Sequence, residues 1–170
     1  MNQVKRITYS AMFLALVFVL PFMTGQIPQI GSMLCPIHIP VLLCGFICGA
    51  PYGLLIGFLA PILRSLTLSM PPMFPTALCM AFELATYGFL AGFLMKRLPL
   101  SKWSVYVSLI LSMLAGRIVW GMMMFICMGL DVSKFGFTMF IAGAFTNAIP
   151  GILLQLILIP ILVILIKKVK

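Results

Sequence analysis

The chain has 170 residues, 64% hydrophobic and 8% charged, with eleven Lys and Arg against two Asp and Glu and a net charge of +9. Soluble globular domains carry roughly a quarter charged residues, so this balance excludes that class and defines an integral membrane protein. The cations stand in short clusters between apolar runs, as membrane topology signals do, so the basic character does not indicate a nucleic-acid partner.

Apolar stretches run from Ile7 to Thr24, from Ile37 to Leu68, from Thr76 to Met95, from Trp103 to Met128 and from Phe137 to Ile166. The first follows Lys5 and Arg6, as a secretory signal would. Its run exceeds a usual signal core and Thr24-Gly25-Gln26-Ile27-Pro28 offers no small-x-small cleavage site, so it is read as a retained span. The second is too long for one span of about 20 residues. Proline and glycine interrupt it at Gly49-Ala50-Pro51-Tyr52-Gly53, where the chain is expected to fold back.

Charge parity supports that reading. Lys5 and Arg6, then Lys96, Arg97 and Lys102, then Lys167, Lys168 and Lys170 are the basic clusters, and the positive-inside bias assigns all of them to the cytoplasm. An even number of spans must then precede Lys96 and follow Lys102. Four and two satisfy this, which predicts an all-α bundle of six transmembrane helices, a single domain over residues 1–170 with both termini cytoplasmic.

Inside these spans lie Arg64, Glu83, Arg117 and Asn147, with His38 at the start of the second. An ionisable group in hydrocarbon costs several kcal/mol unless it is paired or faces a wet cavity, which makes these residues the first candidates for a binding site. At 1.5 Å per residue, Arg64 lies about 6 Å from the outer end of its span, Glu83 about 10 Å, and Arg117 and Asn147 about 15 Å. Polar groups from five spans thus fall in the outer half, as the lining of a pocket open to the outside would. Each has a structural alternative. Arg64 is near enough to the interface to snorkel, Glu83 and Arg117 can simply neutralise each other, and the Asn147 amide can satisfy backbone freed by Pro150. His38 suits a helix start as well as a ligand contact.

The segments Gly25 to Met33 and Ser69 to Pro75 both fall outside and carry apolar side chains on proline-ordered loops, so they are candidate lids; Met70, Met73 and Phe74 equally suit the headgroup region. Gly45, Gly49, Gly53 and Gly57 recur every fourth residue through the fold-back, and Gly88 and Gly92 repeat the spacing, which lets backbones approach closely. Ala11 and Ala15, with Ser10 beside them, form a small-residue face on the first span that another helix can pack against.

Five scattered cysteines, an odd number, do not make a disulfide scaffold. Cys44 and Cys48 share a helical face without His or carboxylate company, so they read as small packing residues rather than metal ligands. No Gly-x-x-x-x-Gly-Lys-Ser/Thr motif is present for ATP, and one histidine with two acids leaves little for catalysis, so neither an enzyme nor a cofactor is expected. The two matching halves of many secondary transporters are also missing.

Ala11-x-x-x-Ala15, and Pro36-Ile37-His38-Ile39-Pro40-Val41 leading to Gly45, Gly49, Pro51, Tyr52 and Gly53, resemble the substrate-binding S components of energy-coupling factor (ECF) vitamin transporters over nearly the whole chain. Pro61 to Leu66, Met70 to Ala77 and Met80 to Gly88 look like the branch of pantothenate-type S components, which also holds relatives assigned to vitamin B6. The resemblance implies a bacterial multi-pass membrane protein that captures a water-soluble vitamin from outside. Delivery would occur with a transmembrane coupling subunit, met through Ala11 and Ala15, and two cytoplasmic ATPases.

Pantothenate carries a carboxylate, for which Arg64 or Arg117 is suited, with Glu83, Asn147 and His38 for its hydroxyl and amide groups. Pyridoxine or pyridoxal would use Glu83 and Asn147, with Phe74, Phe82 or Tyr87 against the ring. Pantothenate is favoured because Arg64 stays free if Glu83 neutralises Arg117. Two other classes remain open. A copper(I) path would string methionine and cysteine along one pore, whereas Met122, Met123 and Met124 are consecutive and diverge. An autonomous small-solute carrier would work without ATPase partners.

Overall fold

The computed structural model describes residues 2–23, 34–99, 101–131, 136–144 and 146–167, and among these all regular structure is helical. Helix α1 spans Gln3–Met23, α2 His38–Cys48 and α3 Ala50–Leu68. A π-helical turn, Met73–Ala77, leads into α4, Leu78–Arg97. Helix α5 spans Lys102–Cys127, α6 Phe137–Ala144 and α7 Ile149–Lys167, with a 3-10 turn at Thr146–Ala148 between the last two. The Gly25 to Met33 segment, Lys168 and Lys170 lie outside the described residues.

Among the described residues five helices are long and apolar enough to cross a membrane: α1, α3, α4 with its preceding turn, α5 and α7. The expected second span departs from this pattern. Helix α2 has 11 residues and so rises about 16 Å, roughly half of a 30 Å hydrocarbon core. All of it except Ile47 is buried, because it is apolar on every side and packs against α1, α3, α4 and α7. The last apolar stretch is likewise divided, into α6 and α7, at the turn that contains Asn147.

The fold-back occurs where proline and glycine stand. Gly49 takes φ +102°, a left-handed value that side chains disfavour, and Pro51 sits in the first turn of α3, where its missing N–H costs nothing. The reversal brings Gly45 and Gly53 together, and both press on the Gly88 backbone of α4. Further along, Gly57 faces the Leu84 carbonyl and Gly92 faces Ala50. Each step of about four residues along α3 therefore matches four back along α4, the antiparallel register of two helices in backbone contact. Around this seam Leu42, Phe46, Leu84, Tyr87, Leu109 and Ile159 are fully buried.

Arg6 from the start of α1, Lys96 and Arg97 from the end of α4 and Lys167 from the end of α7 line one cavity, so three basic clusters share one end of the bundle. Helix α1 is the least enclosed of the five long helices. Ala11 and Ala15 are exposed on it, in line with Val19 and Phe22. Ser10 does not belong to that face: it is buried, donates to the Arg6 carbonyl at 2.8 Å and accepts from the Cys44 thiol at 3.6 Å. Cys44 thus joins α2 to α1 in the packing role expected of it.

A Cβ at Gly88 would collide with the Gly53 carbonyl, so Gly88→Val must force α3 and α4 apart. Overpacking of this kind costs about 1–3 kcal/mol. Thermal unfolding of the detergent-purified variant is expected at a clearly lower temperature than wild type; an unchanged midpoint would show that the seam is not tight.

Candidate substrate-binding site

Glu83 is buried on α4, and three side chains converge on its Oε1. The hydroxyl of Tyr87, one turn on, donates to Oε1 at 3.0 Å, and Arg117 Nη1 from α5 stands 3.1 Å from the same atom. His38, the first residue of α2, places Nε2 3.5 Å from Oε1, within ion-pair reach of a protonated imidazole but outside hydrogen-bond alignment. The His38 and Tyr87 rings lie 5.4 Å apart, tilted by 55°. Arg117 Nη2 also donates to Cys35 Sγ at 3.8 Å.

Local sequence explains the convergence. Glu83 and Tyr87 are four residues apart and so share one face of α4. Gly116 precedes Arg117 and leaves room for the Tyr87 ring, which a Cβ there would strike. Pro36 and Ile37 start the short α2 with His38 pointing into the bundle, held by its N–H to the Cys35 carbonyl at 3.1 Å.

The cluster is paired yet not saturated. His38 Nδ1 and Arg117 Nε are buried with no hydrogen-bond partner among the described residues. Buried donors and acceptors are nearly always bonded, so such atoms mark a place where a polar guest can be received.

Arg64 occupies a separate station. Its Nε donates to the Met70 carbonyl at 3.1 Å and its Nη1 to the Val17 carbonyl at 3.4 Å, tying α3 to α1 and to the segment that follows Ser69. It is 5% exposed, too buried for snorkelling, and neither ion pair formed by Glu83 involves it. Extending the register of α3 on α4 sets Arg64 level with Ala77. That is six residues, or about 9 Å, from Glu83 toward the end opposite the basic clusters.

The remaining expected residues are more dispersed. Phe74 is exposed in the π-helical turn, and Phe82 is partly exposed with its ring edge-on to Phe58 at 5.7 Å. Asn147 lies in the turn between α6 and α7. Two residues escaped the sequence reading. Cys35 touches Arg117, and nothing in its sequence context marks it. Gln155 of α7 is 1% exposed with both amide atoms unpartnered among the described residues. An amide inside the run Ile152-Leu153-Leu154-Gln155-Leu156-Ile157 was the signal that would have found it.

A family model described as ECF transporter, substrate-specific component, matches residues 5–163. The chain belongs to that family. It is therefore a multi-pass membrane protein acting as the substrate-specific component of a transporter rather than as an enzyme. No curated protein and no solved structure matches this ECF component.

Removing one member of a buried ion pair strands the other and costs about 3–5 kcal/mol, whereas removing both is far milder. Glu83→Gln alone should therefore destabilise the ECF component strongly, and adding Arg117→Met should restore much of the loss. Unfolding midpoints of the two single variants and the double variant check this; additive losses would show that the pair is not coupled.

Proposed function

We propose that this ECF component binds pantothenate in a pocket of the outer half of the membrane. Six membrane-crossing segments, with α2 as the short one, and both termini in the cytoplasm of a bacterial cell complete the reading. The observation that carries it is the pair of polar stations about 9 Å apart along the bundle. One is Arg64, a buried cation held by carbonyl oxygens; the other is the Glu83 cluster with its open His38 and Arg117 nitrogens.

Pantothenate is a linear acid with a carboxylate at one end and hydroxyls at the other. Its anion suits Arg64 through a charge-assisted hydrogen bond, and its hydroxyls and amide suit His38, Glu83 and Arg117, with Asn147 a further candidate for them. Glu83 already neutralises Arg117, so the second station favours neutral polar groups over a second anion. Tyr87 belongs to the same lining, whereas Phe74 stands exposed in the π-helical turn. Vitamin B6 is the second reading, favoured by the His38 and Tyr87 rings beside Glu83, where a compact ring with hydroxyls would engage a single station.

Delivery requires a transmembrane coupling subunit and two cytoplasmic ATPases. The exposed Ala11 and Ala15 face of the loosely enclosed α1 supports docking there, since small side chains let a partner helix approach closely.

Calorimetric titration of the purified chain is expected to show one-to-one pantothenate binding. A charge-assisted hydrogen bond contributes about 1.5–3 kcal/mol, so Arg64→Ala should weaken binding by about ten- to a hundredfold while Arg64→Lys retains part of it. Unchanged affinity in Arg64→Ala would contradict the carboxylate assignment, and tighter binding of pyridoxal than of pantothenate would favour the second reading. Replacing Ala11 and Ala15 by Leu should abolish vitamin uptake by the assembled transporter while leaving vitamin binding to the isolated chain intact; loss of binding instead would show that this face supports the pocket.

A further inference from the structure

A cavity of about 700 Å³ opens at the basic end of the bundle, remote from the Glu83 cluster. Arg6, Lys96, Arg97 and Lys167 stand around it, and no acidic residue lines it. The chain has two acids in all. Glu83 is engaged by Arg117 in the interior, and Asp131 follows the far end of α5. Among the described residues no Asp or Glu side chain therefore neutralises these four cations, which come from three helices well separated in sequence. Like charges gathered at one cavity repel unless an anion joins them.

The wall beneath the cations is apolar. Ile47, Pro51 and Phe93 line it, and the Arg97 guanidinium lies 5.3 Å over the Phe93 ring, which holds that cation at the rim. Lys167 is half-buried at the end of α7 rather than extended into water. A small anion needs the cations but not the wall. A protein segment entering here would have to be acidic as well as apolar, whereas one ubiquitous membrane constituent already has both parts in this order. From the combination of cationic rim and apolar wall at a membrane boundary, we infer that this cavity is a binding site for an anionic phospholipid, its phosphate among the four cations and its acyl chains along Ile47 and Phe93. The site does not depend on which vitamin the outer half binds. Because its floor is the α2 to α3 reversal at Gly49, a bound lipid also braces the seam that carries His38 and Arg64.

Native mass spectrometry of the purified full chain with equimolar phosphatidylglycerol and phosphatidylcholine tests the assignment. Selective retention of phosphatidylglycerol is expected. Each cation near anionic lipid contributes on the order of 1 kcal/mol, so Lys96→Gln with Lys167→Gln should weaken that retention by about thirtyfold. Lys5→Gln with Lys102→Gln, which removes the same charge outside the cavity, should change it far less. Ile47→Trp, which fills the wall at unchanged charge, should also lower retention, and a wild-type unfolding profile in that variant separates the effect from misfolding. Equal retention of both lipids, equal losses in the two lysine pairs, or displacement of the lipid by equimolar glycerol phosphate would overturn the proposal.

Discussion

The interior of this protein is organised by one carboxylate. In a bundle whose lipid-facing surface tolerates almost no charge, Glu83 holds Arg117, accepts from Tyr87 and stands within reach of His38, so three helices meet at a single oxygen atom. Coulomb attraction is strong in this low-dielectric setting, yet so is the cost of removing both ions from water, and such a pair defines geometry more than it adds net stability. That explains why, Arg64 apart, the ionisable groups buried within the spans gather here. They fix where α2, α4 and α5 stand relative to one another while leaving the His38 Nδ1 and Arg117 Nε atoms open.

Precision at that oxygen depends on the glycine seam. Gly45, Gly53 and Gly88 bring three backbones into contact at the reversal, and Gly57 continues the contact toward Arg64. Because the register is set by backbone rather than by flexible side chains, the two polar stations keep a fixed separation along the bundle. The open alanine face of α1 lies apart from this glycine seam. In the proposed reading, binding and coupling use different surfaces of one small chain.

Much of this was legible in the sequence because hydropathy and charge report directly on the membrane. The Ile7 to Thr24, Thr76 to Met95 and Trp103 to Met128 stretches correspond to α1, α4 and α5 within a few residues, and the Gly49 to Gly53 interruption is where the chain reverses. What hydropathy could not reveal is that His38–Cys48 is too short to cross alone, since a helix buried in protein and one facing lipid are equally apolar. The division of the last stretch beside Asn147 was hidden for the same reason. At the site, the pairing of Glu83 with Arg117 was one of the arrangements the sequence offered, although charge alone would equally have allowed Arg64. The sequence allowed Arg64 to reach water, but it is buried with its Nε and Nη1 on the carbonyls of Met70 and Val17, and a backbone acceptor leaves no mark in a sequence.

The central claim is that the two stations serve one ligand. A ligand-bound structure of the purified ECF component with pantothenate tests it most directly. Density running from the Arg64 guanidinium to His38 and Glu83, carboxylate toward Arg64, is the predicted result. Pantothenate density touching neither station, with the Glu83 cluster unchanged, would contradict the account and leave those charges as structural alone.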